Sequence, residues 1–146
     1  VIAVDTNLLV YAADLDSPWN RDTEDILTRL AEGSAPWAIP WPCLHEFLGV
    51  ITNPRIYKQA ALPVSEAFDH AERWMESPSV RVIGESPGYW GRLRQVMETG
   101  KTVGGMVHDA KIAAICLHHG VQVLWTADRD FARFPKLKTV NPLVKR

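Results

Sequence analysis

Five short strand signals, separated from one another by helical patterns, narrow the fold of this chain more than any other feature. They fall at Ile2–Val4, Trp37–Ile39, Val80–Ile83 and Val121–Thr126, with a weaker one at Lys138–Val140. Between them, Ser17-Pro18 opens a helix whose Ile26, Leu27 and Leu30 form an apolar stripe before Gly33 stops it. Pro42 opens a second, with Leu44, Phe47, Leu48 and Ile51 at i, i+3, i+4, i+7, and Asn53-Pro54 ends it. Ser65 is expected to cap a third helix running to about Glu76, and a fourth covers roughly Tyr89–Glu98. The fifth, Met106 to His119, is apolar on most sides and is closed by Gly120, the pattern of a helix buried between other elements. Such alternation argues for an α/β fold with a central, mainly parallel sheet flanked by helices. Strand order stays open.

At 146 residues the chain is expected to form a single domain, 1–146, large enough to bury a core without staples. Hydrophobic residues at 47% and charged residues at 23% are the proportions of a soluble globular protein. No apolar stretch approaches a membrane span and no basic, apolar leader precedes Asp5, so a cytoplasmic protein is expected. Cys43 and Cys116 lie far apart, and in a reducing compartment both read as buried thiols. A formal net charge of −1 excludes a protein that coats nucleic acid by bulk charge. Any nucleic-acid partner must be held by a local site.

The informative residues are acids. Parallel α/β sheets carry their sites beyond the carboxyl ends of the strands, where the following helices also begin. Asp5 follows the first strand directly, and Asp128 lies two residues beyond Thr126. Glu46 falls in the first turns after Pro42, and Asp109 in the first turn after "VGGM". At about 100° per residue, Glu46 sits at the border of its helix's apolar stripe, beside Cys43 and Val50, from which it can lean into a cleft. Singly, Glu46 or Asp109 reads more simply as a partner of the helix dipole, and Asp128 as a turn or N-cap residue. Asp5 is harder to dismiss, because a strand end beside a core seldom carries an unpaired charge.

Convergence of the four would be costly. Two unit charges ~4 Å apart repel by ~4 kcal/mol at an effective dielectric of about 20. Several such pairs weigh heavily against a domain stability of ~5–15 kcal/mol. A divalent cation relieves the repulsion, and all-oxygen donors favour Mg²⁺ or Mn²⁺ over zinc. Mg²⁺ completes its shell with water and phosphate oxygens, so an acidic cluster of this kind points to a phosphate substrate and metal-assisted attack by water.

"VDTNLLVYA" with Asp5, the acid Glu46 on the second helix, "HDAKIAAICLHHGV" with Asp109 and "LWTADRDF" with Asp128 together resemble PIN-domain nucleases, and most of all the VapC-type toxins of bacterial toxin–antitoxin pairs. The resemblance covers nearly the whole chain. It implies a PIN-like three-layer fold and a Mg²⁺- or Mn²⁺-dependent endoribonuclease, dimeric and silenced by a VapB-type antitoxin. It carries the acidic roles, catalytic and metal-binding, onto Asp5, Glu46, Asp109 and Asp128. Asn7 and Thr126 match positions that support the acids by hydrogen bonds. Asp130 is a fifth acid to which an N-cap role is equally suited.

Other residues admit two readings. His108 beside Asp109 can contact RNA or be an ordinary surface histidine. Arg92, Arg94 and Lys101 next to Tyr89 and Trp90 can hold single-stranded RNA or form a solvated helix face, and Arg129 and Arg133 flank Asp128. Trp19, Trp37 and Trp41 suit either an interface or the core. No His/Cys spacing suggests zinc. Two rivals remain: an aspartate-nucleophile phosphatase, whose D-x-D-x-T pattern meets Asn7 where its second acid belongs, and a PIN-like RNA- or protein-binding module without activity.

Overall fold

A computed structural model of the chain describes residues 1–144. Five strands, β1 (Ile2–Val4), β2 (Trp37–Pro40), β3 (Val80–Ile83), β4 (Val123–Trp125) and β5 (Lys138–Val140), form one sheet in the order β3-β2-β1-β4-β5. Every neighbouring pair is parallel. The helices are α1 (Thr6–Ala13), α2 (Asn20–Glu32), α3 (Trp41–Ile51), α4 (Pro54–Tyr57), α5 (Val64–Met75), α6 (Tyr89–Gly100) and α7 (Val107–His118). The expected α/β class and parallel sheet are therefore what the chain adopts. Among the described residues, no helix is long and apolar enough to cross a membrane.

The contacts between helices follow the order of the crossovers. α1 packs on α2 and α3, α3 on α5, and α6 on α7. The first two crossovers step from β1 outward to β2 and β3, whereas the β3–α6–α7–β4 connection returns past β1 to its other side. The direction of winding thus reverses between β1 and β4, and a crevice opens at such a point beyond the carboxyl ends of the strands. The core beneath is built from Ala3, Val4, Leu8, Leu9, Trp37, Ile39, Phe47, Ile115 and Leu124, none more than 1% exposed.

Differences from the sequence expectation are local. Thr6–Ala13 is helical, a segment in which the sequence shows only a short apolar run. Asp5 initiates it, with extended backbone and a carboxylate that accepts from Thr6 N at 2.8 Å. The second expected helix starts at Trp41, one residue before Pro42, so that proline occupies the first turn where its missing N–H is harmless. The third starts at Val64, so Ser65 lies inside the helix and Pro63 is its N-cap residue. Asn53-Pro54 ends α3 and at once starts α4, because the Asn53 side chain accepts from Arg55 N at 2.9 Å. The Ser17-Pro18 start is displaced to Asn20, whose amide donates to the carbonyls of Tyr11 and Ala12 at the end of α1.

Candidate acidic site at the β1–β4 crevice

Register brings the first pair of site residues together. Val4 pairs with Trp125, so Asp5 and Thr126 emerge side by side at the carboxyl edge, joined by the Asp5 N to Trp125 O hydrogen bond at 3.0 Å. There Thr126 Oγ1 donates to Asp5 Oδ2 at 2.7 Å. Thr126 Oγ1 in turn accepts from Asp128 N at 2.9 Å and from Asn7 Nδ2 at 3.2 Å. Asn7 completes the link: Nδ2 reaches Asp5 Oδ2 at 3.4 Å, and Oδ1 accepts from Ala127 N at 3.2 Å. Asn7 and Thr126 thus bind Asp5 to the loop that carries Asp128.

The other Asp5 oxygen, Oδ1, takes the Thr6 N–H at 2.8 Å and the Cys43 thiol at 3.5 Å. Cys43 is not merely a buried thiol, as its sequence context suggested, but a donor to this carboxylate. Asp5 is only 4% exposed. Burial pushes its carboxyl up to about 6; the bonds from Thr126, Thr6 and Cys43 work against that rise, and the nearby Glu46 charge adds to it. Beneath it, Cys43 is driven well above the usual thiol range by burial and then by the Asp5 charge.

Glu46 is exposed, one turn along α3 from Cys43. Its Oε2 accepts from Thr6 Oγ1 at 3.1 Å, so Thr6 serves Asp5 with its backbone and Glu46 with its side chain. Sequence alone gave Thr6 no part; its position at the first turn of α1 becomes meaningful only once α3 lies alongside. Asp109 sits half-buried in the first turn of α7, and Asp128 is the N-cap of a 3₁₀ turn at Arg129–Arg133. Asp128 Oδ1 accepts from Asp130 N at 2.8 Å, so the capping role falls to Asp128 and leaves the Asp130 carboxylate for other uses.

Asp5, Asn7, Glu46, Asp109 and Asp128 all line a single cleft of about 220 Å³, with Thr6, Val10, Tyr11, Val50 and Ile112. Two of these, Asp109 and Asp128, form a cluster with the exposed Asp130 beside the cleft, each offering a carboxylate oxygen within 4.8 Å of the others. Burial first, and then the charges of Asp128, Asp130 and Glu46, raise the Asp109 carboxyl; Arg133 opposes them. Among the described residues neither salt bridge, Arg94–Glu98 or Lys111–Glu85, neutralises this group. Three crowded carboxylates, with no histidine or thiolate in their cluster, form the oxygen-only donor set that Mg²⁺ and Mn²⁺ favour.

The other sequence candidates fall elsewhere. Trp37 is a core residue, fully buried, whereas Trp19 and Trp41 are partly exposed. Arg94 pairs with Glu98 at 2.8 Å on the exposed face of α6, and Arg92 lines a separate crevice with Phe134 and Lys136. At the other end of α7, where the sequence marked no site residue, His118 and His119 meet the carbonyls of Pro87 and Gly84 at 2.9 and 2.7 Å.

Comparison with known proteins places this geometry in context. The PIN domain family matches residues 2–137. Ribonuclease VapC48 of Mycobacterium tuberculosis is 31% identical over 138 residues, covering 94% of each chain. Among solved structures, VapBC2 from Rickettsia felis bound to a promoter DNA fragment superposes with a TM-score of 0.62 at 20% identity, covering 95% of this chain and 96% of that one. Mycobacterium tuberculosis VapC20, a sarcin–ricin loop cleaving toxin, gives 0.63 at 16% identity, covering 90% and 93%.

Proposed function

The chain belongs to the PIN-domain family, among its VapC members, and from that premise we propose that it is a divalent-metal-dependent endoribonuclease, the toxin of a VapBC-type pair. The observation that carries the reading is the crowding of carboxylates, none of them in a salt bridge among the described residues, beside a buried, hydrogen-bonded aspartate. The ribonuclease name of VapC48 and the sarcin–ricin loop cleavage named for VapC20 support RNA as the substrate. The solved VapBC2 assembly supports a VapB-type antitoxin as partner. A homodimer and a cytoplasmic setting complete the reading.

The site is assigned to Asp5, Glu46, Asp109 and Asp128, with Asp130 added by proximity and Asn7 and Thr126 as supports. A Mg²⁺ or Mn²⁺ ion, when bound, would neutralise the phosphate and activate the attacking water. Asp109, Asp128 and Asp130 would hold it, with Asp5 on the inner wall of the same cleft. Glu46, tethered by Thr6 through Oε2, has no hydrogen bond on Oε1 among the described residues, which supports a role in orienting the attacking water. Thr126 and Asn7 keep the Asp5 carboxylate and the Asp128 loop at fixed separation.

In-line attack by water leaves a 5′-phosphate and a 3′-hydroxyl, and a 2′,3′-cyclic phosphate would show instead that the ribose hydroxyl is the nucleophile. The test is to incubate RNA with the wild type and the Asp5→Asn variant, with and without Mg²⁺, and to map the ends. Cleavage is expected only for the wild type with metal. An equally active Asp5→Asn protein would reject the site.

A further inference from the structure

The acidic cleft does not end at Glu46 and Asp109. A second cavity, which includes His45, His108 and Lys111, shares Glu46, Asp109 and Ile112 with it. A third, which reaches Trp41, Gly84 and Glu85, shares Pro42, His45 and Lys111 with the second. The result is a continuous groove whose walls are α3, followed backwards from Glu46 to Trp41, and α7, followed forwards from Asp109 to Ile115.

The far end of the groove carries an aromatic surface. Trp41 is 42% exposed, although it opens a helix whose inner residues are wholly buried. Its ring stacks with His45 at 29° and 6.1 Å between centroids. A Cβ on Gly84 would come within 2.9 Å of Trp41 Cδ1, so the chain leaving β3 abuts the indole edge. His119 Nε2 meets the Gly84 carbonyl at 2.7 Å and braces that chain in turn. The indole is therefore held in place while much of it stays accessible. Between it and the acids lies Lys111, whose ammonium is 3.6 Å from Glu85 in a partly exposed pair. Such a pair is weak, and its cation is available to a phosphate. Trp41 and Glu46 are five positions apart along the helix, a rise of about 7.5 Å, or roughly two stacked nucleotide steps.

We propose that this groove binds the single-stranded RNA flanking the scissile bond, with a base stacked on Trp41 and an intervening phosphate paired to Lys111. Stacking on an aromatic platform requires an unpaired base, so the groove selects single strands over duplex. The inference deepens the ribonuclease reading and rests on it.

The test is the kinetics of cleavage of a short, random-sequence single-stranded RNA in Mg²⁺, with end sequencing and thermal melting. It compares the wild type with Trp41→Ala, Trp41→Leu, Trp41→Phe and Lys111→Ala. Trp41→Ala should raise KM about tenfold with little change in kcat, and should flatten the base preference at one position beside the cut. Trp41→Leu keeps apolar bulk without a π-face and should behave likewise, which preserves the test if the alanine variant fails to fold. Trp41→Phe should retain both KM and preference, and Lys111→Ala should raise KM. Unchanged KM and base preference in folded Trp41→Ala or Trp41→Leu would overturn the inference alone. If self-association weakened at the same time, Trp41 would belong to a protein interface. RNA left uncut by the wild type would instead overturn the ribonuclease reading.

Discussion

Two groups of acids meet at one cleft, Asp130 standing just outside it, and are built in opposite ways. Asp5 is buried and accepts from Thr6, Thr126, Asn7 and Cys43, which occupy both of its oxygens. Asp109, Asp128 and Asp130 lie farther out, close to one another, and only Asp128 among them accepts a side-chain hydrogen bond among the described residues. The inner carboxylate has geometry without freedom, and the outer group has crowded negative charge that Arg133 offsets only in part. A site that must place a cation reproducibly needs both properties, and here they are divided between different residues. In the proposed cation site the inner acid would set position, whereas the outer ones would supply the charge that a cation neutralises.

Activity should show the largest effect and stability should split the two groups. Asp109→Asn and Asp5→Asn are each expected to lower RNA cleavage by about 100-fold or more. In chelator, however, Asp109→Asn should melt at or above the wild-type temperature, because it removes repulsion. Asp5→Asn should melt lower, since its amide turns donors toward the donors that surround it, at about 1–3 kcal/mol. Equal melting shifts in the two variants would erase the distinction.

Acidity probes the same division without mutation. The Asp5 carboxyl is raised to about 6 from 3.8, so the native state binds this proton more tightly than the unfolded chain. Its contribution to stability is fully present below pH 3.8 and is lost as pH rises through about 6. The loss is on the order of 3 kcal/mol at most, and the raised Asp109 carboxyl acts in the same direction. Denaturant unfolding in chelator across this window should show the decline, and Mg²⁺ should reverse much of it near neutral pH. A metal-independent profile would contradict the proposed cation site.

The links between the groups should give smaller changes. Thr126→Val keeps the shape of the side chain but removes the hydroxyl that serves Asp5 and Asp128 together. A loss of about 1–3 kcal/mol in denaturant unfolding is expected, with cleavage reduced about 10- to 100-fold. Cys43→Ala removes a longer thiol bond to Asp5 and should cost about 1 kcal/mol or less beyond its cavity, leaving cleavage nearly intact. If Cys43→Ala were the more damaging to activity, the thiol rather than the hydroxyl would be the element that fixes Asp5.

Much of this was legible in the sequence because it depends on local chemistry. Short β-branched runs mark β1 and β3, and Asp5 and Asp128 follow strand ends as direct neighbours in the chain. Glu46 and Asp109 sit in the first turns of helices that leave the same edge. α1 was harder to read, because six of its eight residues are buried and its apolar run is too continuous to show helical spacing. The role of Asp130 was open for a different reason: a turn acid and a cleft acid look alike until the loop is placed.

By itself, the sequence determined the alternation of strands and helices and therefore which acids leave the sheet at one edge. That follows from periodicity and from the geometry of strand-to-helix turns, both set by neighbouring residues. Strand order, the Asp5–Thr126 register, the capping of Asp128 rather than Asp130, and the groove from Glu46 to Trp41 were decided only by the tertiary structure. Each joins residues far apart in the chain, and their proximity depends on which strands pair and how the helices pack across them.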